Sequence, residues 1–288
     1  MEILLKRSIL LLALLGTAAC GGGGDTPDPT PVTDPTETRN GLPYAAGQVI
    51  SDAEGVAMTL TSASYQPVGG ATIESPRTVT LDAGFFSTDQ LNGSITIFGE
   101  VVQITNGQGT LANTNTVNVV YEPERSGDYV AAFEAVALDG NNYVGEEGYI
   151  VGFETRPSAV AAQTGGSVVY TGDFVANGLA ARSEAEYEGG VVFTVNFNDN
   201  TVAGTFDGGL NGGAGSGGSD VDLAMGATSF SGNNNFNGSL TCADGCDGSA
   251  GTVDAAFYGP AADEIGGVIA VDFEGFDGAG TFIISVTP

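Results

Sequence analysis

Short apolar stretches alternate with turn-forming Gly, Asn, Asp and Ser residues along the chain from about residue 42 onward. In the stretch VVFTVNF at 191–197, valine and phenylalanine occupy every second position, and the same spacing recurs at 221–225 and 282–286. An apolar face opposite a polar face is typical of an antiparallel sheet with one buried side and one solvent-exposed side. No stretch keeps a helical period over about a dozen residues. The pattern therefore predicts an all-β chain.

The spacing of these stretches also predicts two domains. Pro157 and the small residues of 156–166 (RPSAVAAQTGG) are typical of a short connector, so we expect a first β-rich domain at 42–160 and a second at 163–288. The second domain holds enough candidate strands to close a small barrel. The turn Asn198-Asp-Asn200 predicts a tight hairpin between two of them. The candidate strands are 92–98, 116–121, 129–133, 167–175, 191–197, 201–206, 221–225, 234–240, 251–258, 268–273 and 281–286.

The first twenty residues, MEILLKRSILLLALLGTAAC, place a basic pair before a short apolar run and end in small residues at Cys20. The run is too short to span a bilayer, so we interpret residues 1–19 as a signal peptide. The small residues before Cys20 resemble the lipobox of bacterial lipoproteins, although leucine is preferred where Thr17 stands. The resemblance implies cleavage before Cys20, lipidation (palmitate) of this residue and, because Gly21 is not aspartate, the outer membrane. An ordinary signal peptide with a chance cysteine is the alternative.

Residues 20–41 are rich in Gly, Pro, Thr and Asp and predict a flexible tether. The whole chain carries 35 acids against 7 bases, a formal net charge of −28. Such a surface repels nucleic acid, which we exclude as a partner. A solvated surface suited to salty water explains the acidity most simply, while attraction to basic partners stays open.

The chain contains no histidine, which excludes His-based triads and imidazole metal sites. We therefore predict no enzyme, no cofactor and no metal site. Asp263 and Glu264 are adjacent and would not converge as a catalytic pair. The pair Asp220 and Asp222 could hold a cation, but we interpret both as solvated wall residues. The stretch 139–147 has a faint likeness to a calcium loop but lacks the required glycine and glutamate spacing.

Cys242 and Cys246 flank Ala-Asp-Gly in the sequence CADGC. In an exported chain they predict a small loop disulfide, and a zinc site is the weaker alternative because no histidine could complete it. The segment 208–218 (GGLNGGAGSGG) predicts a mobile loop between strands, since it lacks the lysine that a phosphate-binding loop needs.

The run AFYGPAADEIGG at 256–267 has the residue order of a structural motif. Phe257 and Tyr258 end a strand, and we expect one of the two rings to fill the barrel interior. Gly259 and Pro260 then break the ladder, and residues 261–264 predict one helical turn across the end of the barrel. The glycine pair at 266–267 predicts a left-handed exit before a strand that begins at Val268. We interpret Phe257, Tyr258, Gly259, Pro260, Glu264, Gly266 and Gly267 as a barrel-closing motif.

This run, together with SVVYTG at 167–172, VNFNDNTVAGTF at 195–206 and Phe236-Asn-Gly238, resembles the barrel domain of the transferrin-binding protein B family. GFETRP at 152–157 also resembles the entry into such a barrel. The resemblance implies a smaller β-rich handle domain followed by an eight-stranded barrel. The resemblance covers roughly residues 163–288, and its most specific part is the string Phe-Tyr-Gly-Pro…Glu-x-Gly-Gly.

The resemblance also implies a function. Members are surface lipoproteins of bacteria, so we expect a lipid-anchored outer-membrane protein that captures an iron-bearing protein, haem or another solute and serves a TonB-dependent transporter. The chain departs from the larger receptors of the family, which have two handle–barrel lobes. No residue matches a transferrin-contacting loop, and haem capture through histidine is impossible. The ligand-binding residues are therefore unknown, and a structural or adhesive module without a discrete ligand is the alternative function.

Overall fold

The computed structural model describes residues 38–39, 42–43, 57–80, 92–121, 126–180, 183–212, 219–230, 234–246, 248–273 and 276–287. The predictions for the signal peptide and for Cys20 lie outside these residues, as does most of the predicted tether. Within the described ranges, no helix has the length and apolar character needed to cross a membrane.

Antiparallel strands make up nearly all of the regular structure in the described residues. Two short strands, β1 and β2, pair with each other, and α1 (Pro157–Ala161) is the one helix found there. The strands are β1 (Thr38–Arg39), β2 (Leu42–Pro43), β3 (Ala57–Gln66), β4 (Gly70–Ile73), β5 (Arg77–Thr80), β6 (Gly93–Ile97), β7 (Glu100–Ile104), β8 (Gln108–Thr110), β9 (Thr116–Tyr121), β10 (Val130–Asp139), β11 (Asn142–Gly152), β12 (Ser167–Ala180), β13 (Ser183–Asn196), β14 (Thr201–Gly212), β15 (Ser219–Ser229), β16 (Asn235–Asp244), β17 (Ser249–Tyr258), β18 (Glu264–Phe273) and β19 (Phe276–Val286).

The N-terminal half forms a β-rich sheet in the order β4-β3-β11-β10-β9-β8, with β5 also paired to β3. We call it the first sheet. Alternate residues of its strands point to opposite faces. One face packs against the separate β6–β7 hairpin through residues such as Leu60, Ile97 and Phe133, and the other face meets the barrel.

The C-terminal half is a closed antiparallel barrel in which neighbours in sequence are neighbours in space, from β12 to β19, and β19 pairs back to β12. Closure satisfies the backbone groups that an open sheet would leave at its edges. These observations confirm the predicted fold class, an all-β chain with a β-rich region followed by an eight-stranded barrel.

The first sheet packs against the outer wall of the barrel through small and aliphatic side chains. Ala132 and Ile150 on the sheet belong to one cluster with Ala256, Val268 and Ala279 on β17, β18 and β19. This contact covers the β17–β19 part of the barrel wall. Within the described part of the chain, the first sheet contributes no cluster residues to the wall formed by β13–β16.

The prediction of a loop at 208–218 is wrong for its first half. Gly208 to Gly212 continue β14 and pair with β13, while residues 213–218 lie outside the described ranges. Packing explains the difference. A Cβ on Gly208 would lie 2.7 Å from the Phe174 ring and 2.8 Å from the Tyr187 ring, so glycine allows these aromatic side chains to fill the barrel.

Candidate functional site

The interior of the barrel is filled with aromatic rings. Phe193 lies at the centre of the packing, with ring centroids 5.7 Å from Phe206, 5.7 Å from Phe236 and 5.4 Å from Phe282. These separations are typical of edge-to-face aromatic pairs. The barrel therefore has a solid core, and ligand contacts must be sought on its outer surface and at its ends.

The two aromatics of the FYGP run lie on opposite sides of the barrel wall. Phe257 points inward, where its ring packs 5.1 Å from Phe230. Tyr258 points outward and belongs to the cluster between barrel and first sheet. Both side chains are fully buried. The expectation that one of the two rings fills the interior is met by Phe257.

The helical turn predicted for residues 261–264 is wrong. Residues 259–262 form a tight turn, and β18 begins at Glu264, which pairs with Tyr258. Left-handed backbone at Gly259 (φ 83°) and Ala262 (φ 59°) reverses the chain. The turn closes over the end of the barrel, because Ala262 packs into the core and the Tyr170 hydroxyl donates to the Ala262 carbonyl at 2.6 Å.

Glu264 joins the barrel to the first sheet. Its carboxylate is 5 % exposed and accepts the backbone N–H of Asp128 at 2.6 Å and that of Tyr129 at 3.0 Å. Burial raises the pKa of Glu264, and the two backbone hydrogen bonds partly offset this rise. Gly127 lies so close to this carboxylate that a Cβ would overlap it. Glu264 thus acts as a buried acceptor for the segment that leads into β10.

The glycine pair at 266–267 does not form a left-handed exit, because both residues lie inside β18 and neither has a positive φ. Their function is close packing. A Cβ on Gly266 would lie 2.9 Å from a Val130 methyl on the first sheet. A Cβ on Gly267 would lie 2.6 Å from Cε1 of the Phe282 ring inside the barrel. One glycine therefore permits the sheet to approach, and the other leaves room for an interior ring.

A cleft of about 450 Å³ lies between the first sheet and the barrel, near the end opposite the Pro260 turn. The Asn177 amide donates to Glu146 Oε1 at 2.7 Å and to Glu134 Oε2 at 3.4 Å, so it joins the two carboxylates across the junction. Both carboxylates are buried. The lining includes Val136, Tyr143, Glu146, Asn177, Glu184 and Asn211.

Tyr143 gives this cleft a neutral hydrogen-bond donor beside its acids. The hydroxyl oxygen is buried and has no hydrogen-bond partner in the described part of the chain. Burial, and secondarily Glu146, raises the pKa of Tyr143, which keeps the phenol protonated. No set of three or more His, Cys, Asp or Glu side chains in the described ranges is arranged to hold a metal ion. The chemistry of the cleft suits an organic cation or a small polar group.

Sequence reasoning grouped Glu146 with Glu147 in a faint calcium-like loop, and the structure separates them. Adjacent strand residues point to opposite faces, so Glu146 faces the barrel while Glu147 is buried on the other side. Glu147 there accepts Ser62 Oγ at 2.6 Å, Phe98 N–H at 2.8 Å and Arg77 Nη2 at 3.1 Å. Their alternation in β11 was visible in the sequence. Their partners, which lie on β3, β5, β12 and the β6–β7 turn, were not.

Cys242 and Cys246 are joined by a disulfide at the β16–β17 turn, with their Cα atoms 5.5 Å apart. Asp220 and Asp222 lie on the neighbouring β15, where Asp222 pairs with Asp207 on β14 and with Asp244 on β16. These acids form part of the outer barrel wall.

The barrel segment matches the model of a known protein family. The family model described as "C-lobe and N-lobe beta barrels of Tf-binding protein B" matches residues 157–283. No curated protein sequence matches the chain.

Solved structures of similar proteins include transferrin-binding protein B from Haemophilus parasuis Hp5 (a Trp-176-Ala mutant), with 14 % identity and a TM-score of 0.47 over 80 % of this chain and 45 % of that one. The isotype 1 protein from serogroup B Neisseria meningitidis has 16 % identity and a TM-score of 0.44 over 80 % and 44 %. The N-lobe of lactoferrin binding protein B from Moraxella bovis has 11 % identity and a TM-score of 0.38 over 81 % and 99 %. This chain spans less than half the length of the first two.

Proposed function

We propose that the chain is a binding protein of the bacterial surface, because the model of the transferrin-binding protein B barrels matches residues 157–283, where the sequence motifs predicted such a barrel. It captures an iron-bearing protein, haem or another solute for uptake and performs no catalysis. The observation that carries this proposal is the match of the barrel segment to a family of ligand-capturing proteins.

The packing of the barrel favours a protein as the ligand. An interior filled by Phe193, Phe206 and Phe282 has no room for a haem-sized molecule. Outer strands and turns then supply the contacts, and such surfaces recognise other proteins more readily than they enclose small molecules. We therefore place an iron-carrying protein ahead of free haem among the three ligand classes.

Two observations favour the second candidate function, a structural or adhesive surface module without a discrete ligand. The large apolar side chains exposed in the described residues are all valines, and the aromatic anchors that dominate many protein interfaces are not among them. The cleft at the sheet–barrel junction is acidic, whereas a concave apolar pocket would have supported a receptor more directly.

Native mass spectrometry distinguishes the two functions. The chain from Gly21 onward is mixed with iron-loaded transferrin, iron-loaded lactoferrin, haem and ferric complexes at about 0.15 M salt, which screens weak surface attraction. We expect one iron-carrying protein to be retained. Circular dichroism confirms that the chain is folded. A folded chain that retains no member of the panel would favour the structural module.

We further propose that the mature chain is lipid-anchored through Cys20 to the outer membrane. Labelled palmitate should be incorporated by the intact chain and not by Cys20→Ala, which should also leave the membrane fraction. Equal labelling of both chains would refute the anchor without affecting the proposed ligand capture.

Uptake would need a TonB-dependent transporter as the partner of the loaded receptor. We expect such a transporter to be encoded beside this chain and to copurify with it when the captured protein is present. Copurification that does not depend on the captured protein would argue against this delivery step.

A further inference from the structure

Among the described residues, the first sheet contributes no cluster residue to the barrel wall of β13–β16, and the outward residues of this wall and of the start of β12 follow a sharp pattern. The strand register aligns Thr171, Val192, Thr205, Ala224 and Thr241 in one row across five strands. We call it the neutral row. The next outward row toward the cleft end holds Asp173, Gly190, Asp207, Asp222 and Asp244, and we call it the acidic row.

The two rows are about 7 Å apart, since outward residues on one strand are two positions apart. Beyond the acidic row the outward side chains of β13 and β15 are again acidic, at Glu188, Glu186, Glu184 and Asp220, of which Glu184 and Glu186 line the cleft against the first sheet. On the other side of the neutral row come Val169, Thr194 and Ala203, which carry no charge. The wall thus divides into an uncharged half and an acidic half.

The acidic row works against folding. Carboxylates directly opposite one another on neighbouring strands destabilise a sheet. Asp207, Asp222 and Asp244 form such a run on three strands. Asp222 has a raised pKa, caused first by desolvation and then by Asp207 and Asp244, which is consistent with crowding of like charges. Acids that served only solubility would be spread over the whole wall, and the neutral half shows that they are not.

The uncharged half of the wall also has a distinct composition. Val169 and Val192 are each 41 % exposed, and threonines surround them. On a chain with a net charge of −28, an uncharged sheet face beside an acidic one offers an uncharged centre with a charged border. A partner that places lysines and arginines against the border and uncharged side chains against the centre satisfies both halves.

We propose that this wall is a docking surface for a basic protein, with the neutral row as its centre and the acidic row as its border. The proposal rests on the proposed function, because it gives the chemistry of the captured protein: a face rich in lysine and arginine. Charge complementarity excludes a second copy of this chain as the occupant, since two such walls repel.

Egg-white lysozyme, a compact basic protein, serves as the probe. The labelled chain from Gly21 onward is titrated with it at about 0.15 M salt, and amide shifts are followed by NMR. We expect the largest shifts on β13–β15 along the neutral and acidic rows. Shifts spread over the acids of both the wall and the first sheet, or no binding, would overturn the proposal.

Variants then separate docking from general attraction between opposite charges. The double variant Asp207→Asn/Asp222→Asn should bind about tenfold more weakly. Its matched control, Glu100→Gln/Asp139→Asn at the start of β7 and the end of β10, removes the same charge and should change the affinity by less than about twofold. Val192→Lys should weaken binding more than Val101→Lys, which alters a more exposed valine of β7 (77 % against 41 %). Equal effects in either pair would overturn the proposal.

The same variants keep this inference distinct from the proposed function. If a panel protein is retained equally by the intact chain and by Asp207→Asn/Asp222→Asn, the wall is not its docking surface. Ligand capture itself would still be supported. Lysozyme shifts confined to the wall, with no panel protein retained, support the surface and refute iron-protein capture.

Discussion

At the scale of single residues, Glu264 shows how one buried carboxylate can hold two parts of a chain together. We expect Glu264→Gln to destabilise the fold by about 2 kcal/mol, because one amide N–H₂ would face the backbone donors of Asp128 or Tyr129. Urea unfolding measures the change. The control Asp263→Asn changes the preceding residue in the same way and should lower the free energy of unfolding far less. Equal losses would mean that the two hydrogen bonds to Glu264 contribute nothing.

Glu147 has a similar function on the far side of the first sheet, where it fastens the β6–β7 turn. Its carboxylate is 1 % exposed and accepts three donors, including the Arg77 guanidinium. Glu147→Ala leaves the Phe98 N–H without its acceptor and the Arg77 guanidinium without its carboxylate, and should cost about 3–5 kcal/mol, measured by urea unfolding. Asp139→Ala, at the exposed end of β10, is the control. A loss below about 1 kcal/mol at Glu147 would contradict a structural role.

At the scale of elements, strand alternation predicted most of the barrel, and the exceptions have a common cause. The wall stretches at 191–197 and 282–286 have one buried face each, so their pattern suffices. The turn after Tyr258 was mistaken for helix because alanine and glutamate favour helices locally, whereas pairing between Tyr258 and Glu264 decides the structure. The partners of Glu264 lie 135 and 136 residues earlier, and no local pattern could show them.

The glycines of β14 and β18 allow a matched test of how strands pack. Gly267→Ala would place its Cβ 2.6 Å from Cε1 of Phe282 and 2.7 Å from the Ala255 Cβ, so we expect a loss of about 1–3 kcal/mol. A Cβ on Gly209 meets nothing within 4 Å, and Gly209→Ala should stabilise β14 by about 0.5 kcal/mol. Urea unfolding compares the two. A neutral Gly267→Ala would show that Phe282 can move aside.

At the scale of the whole molecule, the sequence shows how much charge there is but not where it lies. Asp207, Asp222 and Asp244 are separated by long stretches of chain and become neighbours only through the register of three strands. The acidic cleft likewise joins Glu146 on β11 to Asn177 on β12. Such sites depend on topology, which the strand pattern limits without determining.

The crowded and buried carboxylates should make the chain more stable at mildly acidic pH than at neutral pH. The pKa values of Glu264, Asp222 and Asp277 are raised in the folded state, in each case first by desolvation. A folded state that binds protons more readily than the unfolded chain gains stability as pH falls from neutral through the raised pKa values. The gain is complete once pH falls below the ordinary carboxyl values of about 4. Relief of repulsion in a chain of charge −28 acts in the same direction.

Calorimetry at low salt should therefore show the melting temperature rising as pH is lowered from about 7.5 to about 5, a window that lies above the ordinary carboxyl pKa values. Added salt at neutral pH should reproduce part of the rise by screening the repulsion. Asp222→Asn should melt higher than the unaltered chain at neutral pH and respond less to acid, because it removes the central carboxylate of the acidic row. Asp139→Asn removes one charge from the first sheet and should leave the pH response nearly unchanged. A melting temperature that falls steadily over this range would show that carboxylates with favourable partners, and not the crowded ones, dominate the fold.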